Sequence, residues 1–387
     1  MIPLTNILKN LLTIFVATLV GLILGEIILR IAGISYPVFY TYDELRGRAL
    51  SPYKEGWQRN EGEAYVRINS LGYRDIEHVV EKPPNTFRIA VLGDSFTEAR
   101  QVALENTFVS YLQHHLNTCP ALVDKQVEVF NFGVSGYGTT QELLTLRHHG
   151  WQFSPDMVLL AVWSGNDITD NSKKFPGDRL RHCYTIENGE LVLDNSWKSP
   201  WIHFFYEIVH YSRLMEVINY VIRHQKFRSL IKQKQKVKTI AEEPGLNNNI
   251  YSPPKSPAWQ EAWLITEKLF SQLHKETQEH NAIFVLAILP TSRQVHPDAL
   301  KRKIFQKQLG VEDLFYLDRR IQAYGEKEGF PVITLAERLQ RIATEKGIFL
   351  HGFKNTAMGT GHWNETGHRF AGELLVKDLC EKILNKK

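Results

Sequence analysis

The chain has 387 residues, 43% hydrophobic and 23% charged, which suits one large folded domain or two modest ones and excludes a disordered chain. Its 46 lysines and arginines against 42 acids leave a net charge of +4, which gives no electrostatic case for a nucleic-acid partner. Three cysteines, Cys119, Cys183 and Cys380, match no zinc-ligand spacing and set no disulfide framework; a Cys119–Cys183 bridge and three free thiols both stay open.

Residues 1–9 read as an N-terminal tail and residues 10–34 as a membrane anchor. The stretch from Asn10 to Gly25 has no charge and continues through Glu26 and Arg30 to Ile34. A span needs about 20 apolar residues, so the length suffices if Glu26 and Arg30, spaced i,i+4, pair on one helical face. No small-x-small cleavage site precedes Glu26, which favours an uncleaved signal-anchor over a removed signal peptide or a buried core helix. Lys9 precedes the anchor while Arg46, Arg48 and Lys54 follow it, so a count of positive charges slightly favours a cytoplasmic C-terminal part.

Residues 35–86 form an entry segment expected to pack on a sheet edge. Tyr65 to Ile68 predicts a strand and Asn69-Ser70-Leu71-Gly72 a turn. Arg74 and Asp75 are expected as a solvated turn pair, with the mouth of a site as the alternative.

From Phe87 an α/β pattern begins. Strands are predicted at 89–92, 127–131 and 157–162, with helices over about 107–116 and 140–149. That alternation points to a parallel sheet with helices on both faces. An insertion over about 171–257 follows. It holds a hairpin from Tyr184 to Leu193 turning at Asn188-Gly189. An aromatic, helix-like stretch from Trp201 to Tyr211 leads to a basic run, Arg223 to Lys238, with no acid. The run is read first as a solvated helix ending in a linker, with membrane contact and a lid as alternatives. Glu242 to Pro257 is expected to be a flexible loop. Order returns with a helix from Trp259 to Glu279, a strand Ile283–Leu289 and partly helical structure from Lys301 to Gly329. A short strand at 331–334, a helix over 335–346 and a last helical pattern from Phe370 to Leu384 complete the chain. There is no internal repeat, Walker loop or dinucleotide fingerprint.

Four blocks carry chemistry. Gly93-Asp94-Ser95 ends the first strand, where open α/β sheets place ligands and a turn can expose a hydroxyl. Gly133-Val134-Ser135-Gly136 follows the second strand, Ser164-Gly165-Asn166-Asp167 the third, and Gly361-His362-Trp363-Asn364 precedes the final helix. In this order the blocks resemble the SGNH (GDSL-type) hydrolase family, in its membrane-anchored bacterial form, over roughly Arg88 to the end. The resemblance implies a three-layer, flavodoxin-like α/β fold with a central parallel sheet over residues 87–387, here with an N-terminal transmembrane helix and a helical basic insertion. It implies Ser95 as nucleophile, His362 as general base, and Gly136 and Asn166 as oxyanion-hole groups, with no cofactor or metal.

One position departs from the family. An aspartate usually stands two or three residues before the base histidine, where this chain has Thr360 and Gly359. A backbone carbonyl or a carboxylate from elsewhere must orient His362, or the site is weak. His368 is a rival base, read as a structural hydrogen-bonder. Arg293 and His296, in the loop after strand 283–289, are candidate substrate contacts.

The expected function is serine esterase chemistry on an acyl, above all acetyl, ester of an envelope or secreted polysaccharide. An O-acyltransferase on a glycan and a catalytically weak glycan-binding protein are the alternatives. Relatives with this layout act outside the cytoplasm, so the resemblance implies a periplasmic domain against the charge count. The partners expected are a glycan-linked ester and, through the anchor, the membrane.

Overall fold

The computed structural model describes residues 3–175, 181–194, 196, 201, 204, 206, 208, 211–222, 225 and 246–386. The chain divides into two units, Met1–Tyr42 with Ser199–Thr239, and Asp43–Lys198 with Ile240–Lys387. The first part of the expected insertion therefore belongs to the larger unit.

The smaller unit is built on one helix, Leu4–Ile31, which begins where a separate tail was expected. An 18-residue stretch within Thr5–Ile31 has a mean hydropathy of 2.5, and the helix is long and apolar enough to cross a membrane.

In chain order the strands are β1 (Tyr40–Asp43), β2 (Gly47–Leu50), β3 (Glu55–Gln58), β4 (Ala64–Arg67), β5 (Thr86–Gly93), β6 (Gln126–Asn131), β7 (Met157–Trp163), β8 (Cys183–Glu187), β9 (Glu190–Asp194), β10 (Ile283–Leu289) and β11 (Val332–Thr334). A five-stranded parallel sheet runs β11-β10-β7-β5-β6. Every residue of β5 and β7 is buried. Strands covered on both faces need no polar alternation, which is why Ile89 to Leu92 and Met157 to Trp163 are continuously apolar. The first strand of this sheet, β5, lies between the second and third, β6 and β7. The direction of strand addition reverses there, and the ends of β5 and β7 open a crevice.

Several helices follow their sequence signals. Thr107 caps Phe108–His115 by accepting from the Ser110 amide, and Ser256 caps Pro257–Glu279 with proline at its first position. Asn188 and Gly189 have φ of 50° and 85°, the positive values that a tight β8–β9 hairpin needs.

Three expectations need correction. Cys119 bonds to Cys380, 261 residues away, and Cys183 is a buried free thiol. Leu246 to Ser256 is not a loose loop: Ile250 and Tyr251 are buried, and the Tyr251 hydroxyl shares a 2.7 Å hydrogen bond with Thr291. Apolar anchors, invisible in a proline- and asparagine-rich composition, hold it down. Arg74 is buried and donates to the carbonyls of Glu98, Ala99 and Val102. Asp75 accepts from the Asn131 amide at 2.7 Å. The pair braces the loops after β5 and β6 instead of facing solvent. The basic run from Arg223 to Lys238 lies outside the described residues, apart from Gln225.

Candidate active site

Strand β5 ends at Gly93, where a side chain would meet Thr97 Oγ1 at 2.1 Å; only glycine lets the chain turn so tightly. Asp94 then caps the short helix Ser95–Glu98, its carboxylate accepting from the Phe96 amide at 2.9 Å. Burial pushes the Asp94 carboxyl up to about 6. Ser95 is thereby the first residue of that helix, half-buried among buried neighbours. A first-turn amide has no partner within its helix.

The segments after β6 and β7 leave the sheet beside it. The Val134 amide donates to the Gly93 carbonyl at 3.2 Å, and Gly93 is in register with Ala161. Gly136 has φ of 82° and is half-buried. Among the described residues, the Ser95 and Gly136 amides donate to no other group. Asn166 gives one amide hydrogen to Asp170 at 2.8 Å, and Asp170 is paired with Arg181. The second hydrogen of the Asn166 amide has no acceptor among the described residues.

His362 lies across the crevice. Its Nε2 is 2.8 Å from Ser95 Oγ. Its Nδ1 is 2.6 Å from Glu61 Oε2, and its own backbone amide donates to Glu61 Oε1 at 2.8 Å. One carboxylate thus grips both the ring and the backbone of one histidine, which fixes ring orientation and places the proton on Nδ1. Phe96 covers the imidazole, with ring centroids 5.0 Å apart. Burial opposes a charged imidazole, but Glu61 outweighs it and holds His362 above its ordinary 6.5. Burial likewise raises Glu61, but His362 pulls the carboxylate below its ordinary 4.5.

Glu61 supplies the carboxylate that Thr360 and Gly359 do not. It sits in the turn between β3 and β4, 301 residues before His362. Asn355 clamps that turn, accepting from the Gly62 amide at 3.0 Å and donating to the Arg59 and Gly62 carbonyls. His351 fastens the other side, its Nδ1 2.9 Å from the Gly361 carbonyl. Sequence reasoning found none of these three residues. Gly361 is the one local sign, since its φ of 77° marks a turn a side chain would spoil.

A Cβ at Gly361 would stand 2.1 Å from Glu61 Oε1. Gly361→Ala is therefore expected to push Glu61 off His362. A displacement of that size costs kcat/KM about a hundredfold, while circular dichroism stays native. Steady-state ester hydrolysis checks this.

The remaining candidates make other contacts. His368 is buried and accepts from the Phe108 amide at 3.4 Å. Arg293 and His296 line a cavity of about 270 Å³ with Lys301, Arg302, Ile304 and Phe305. His296 Nδ1 accepts from the Asp298 amide at 3.1 Å.

Beneath the site lies Glu142, whose two carboxyl oxygens are buried without a hydrogen-bond partner among the described residues. Burial, with Asp94 and Asp170 nearby, raises it well above 4.5, so the folded state keeps a proton the unfolded chain gives up. Stability falls as pH rises above that unfolded value. Glu142→Gln removes the loss. Its melting midpoint should match the parent near pH 4 and exceed it at pH 8, by the equivalent of about 1–3 kcal/mol.

The chain is similar in structure to several hydrolases. An acetyl xylan esterase aligns at 14% identity over 76% of this chain and 100% of its own, with a TM-score of 0.39. A putative G-D-S-L family lipolytic protein from Desulfitobacterium hafniense aligns at 11% over 76% and 99%, with a TM-score of 0.35. A catalytic mutant of an acetylxylan esterase from Geobacillus stearothermophilus aligns at 12% over 77% and 96%, with a TM-score of 0.39. No protein-family model and no curated protein matches the sequence.

Proposed function

We propose that the chain is a serine ester hydrolase of SGNH type, with Ser95 as nucleophile, His362 as general base and Glu61 as the acid that positions it. The observation that carries this is the unbroken path from Ser95 Oγ through both imidazole nitrogens to Glu61, with contacts of 2.8 and 2.6 Å.

His362 Nε2 takes the Ser95 proton as Oγ attacks the ester carbonyl, and Glu61 stabilises the imidazolium that results. The Ser95 amide, the Gly136 amide and the remaining Asn166 hydrogen receive the oxyanion. As the C–O bond breaks, His362 returns the proton to the leaving alkoxide and an acyl-serine remains. Water, deprotonated by the same imidazole, then attacks the acyl carbon; the bond to Ser95 Oγ breaks, His362 returns the proton to Oγ, and the acid leaves.

An acetyl ester on an envelope or secreted polysaccharide is the substrate class favoured by the membrane anchor. The Cys119–Cys380 bond supports an extracytoplasmic domain, since disulfides persist in oxidising compartments. Full-length protein in detergent, incubated with acetylated xylan and with 4-nitrophenyl acetate, should release acetate from both. Turnover of neither by the parent would overturn the hydrolase reading. Transfer of acetyl to added glycan in place of release would make the protein an O-acyltransferase.

A further inference from the structure

The helix Leu4–Ile31 is 28 residues, about 42 Å at 1.5 Å per residue, against a hydrocarbon core of about 30 Å. Its uncharged part, Asn10 to Gly25, fills most of that core, which places Glu26 and Arg30 at the lipid–water boundary.

Residues 211–214 are tied to that level. Glu26 accepts from Ser212 Oγ at 2.9 Å, the Arg213 amide at 3.1 Å and the Leu214 amide at 3.0 Å. It acts as an external cap on the helix over 213–222, whose N-terminal amides favour a carboxylate. Arg30 bridges Glu26 and the Tyr211 carbonyl, at 2.7 Å each. Farther on, Glu216 accepts from Ser35 Oγ at 3.0 Å, and Tyr36 stacks on Tyr220 with centroids 4.1 Å apart. These bonds absorb the charge of Glu26 and fix one end of the aromatic stretch at the depth of the anchor's end.

From that fixed end, the helical positions Trp201, Phe204, Ile208 and Tyr211 recur in steps of three, four and three, which sets them on one face. They are 80%, 61%, 41% and 70% exposed. Four large apolar or aromatic side chains on one exposed face are what an interfacial helix carries. The sequence beyond adds Arg223, Lys226, Arg228, Lys232, Lys234, Lys236 and Lys238, which complement anionic lipid headgroups.

We infer that the face formed by Trp201, Phe204, Ile208 and Tyr211 lies in the interface of the same anionic bilayer that the N-terminal helix spans. The inference rests on the anchor reading and is independent of ester hydrolysis. Two contacts with one membrane, one across and one along it, would hold the smaller unit at a set orientation to the lipid surface.

Nitroxide labels test it in the full chain. Cys183 is buried and the other cysteines are bonded to each other, so an introduced cysteine takes the label selectively. Ile208→Cys, Phe15→Cys and the exposed Glu345→Cys would each be labelled in vesicles of phosphatidylcholine and phosphatidylglycerol. Collision with oxygen and with an aqueous nickel chelate is then measured. The expected result is oxygen-rich, nickel-poor labels at 208 and 15, with nickel contact at 208 at least fivefold below that at 345. Nickel contact at 208 equal to that at 345, with 15 still shielded, would overturn the inference and leave the anchor standing. Full nickel contact at 15 would overturn both. Vesicles of phosphatidylcholine alone should raise nickel contact at 208 and leave 15 unchanged. Equal shielding of 208 in both lipids would remove the anionic part of the inference.

Discussion

Ser95→Ala is expected to lower kcat/KM for a short-chain aryl ester by about a millionfold, to near the level that binding and the oxyanion groups sustain alone. His362→Ala should cost about the same, and the double variant should be no worse than either. The reason is the 2.8 Å contact between Ser95 Oγ and His362 Nε2: the two groups act as one device, so removing either removes the alkoxide. Neither change should unfold the protein. Ser95 is half-buried at the end of its turn, and the turn is held by Asp94 and the buried Arg74, not by the serine hydroxyl. Active-site titration beside a thermal melt separates lost chemistry from lost fold.

Glu61→Gln is the second large effect. The side chain keeps its shape but cannot stabilise an imidazolium, and its amide can impose the wrong tautomer on His362. The expected loss in kcat/KM is about a thousand- to ten-thousandfold. The pH profile supplies a readout that a merely structural residue would not move. His362 acts unprotonated, so activity falls as pH drops through its raised value. The parent acid limb should therefore lie above pH 6.5. In Glu61→Gln burial is opposed only by Asp94, and the residual activity should persist to lower pH. Glu61→Asp keeps the charge on a shorter arm and should recover part of the rate without recovering the parent value.

Much of this candidate site is legible in the sequence, because its parts are local. Ile283–Leu289 is apolar throughout and bounded by a proline, and it is a strand over those residues. Ser95, Gly136 and Asn166 each follow such a run, and sheet register alone brings their segments together at one edge. Glu61 was illegible for the opposite reason. It is one acid among 42 acidic residues, in a turn whose sequence says only that it turns, and its role exists only where that turn meets the histidine loop. The Cys119–Cys380 bond and the buried Arg74 share this character: each is defined by a partner that neither periodicity nor spacing can name. The missing aspartate was therefore a correct signal with an unreadable answer.

The most direct test is the rate at which a fluorophosphonate labels Ser95, followed by intact mass and peptide mapping of the full-length parent and Glu61→Gln proteins. A single adduct on Ser95, formed at least a hundredfold more slowly in Glu61→Gln, is the predicted result. An adduct elsewhere, no adduct, or equal rates in the two proteins would contradict the Ser95–His362–Glu61 assignment.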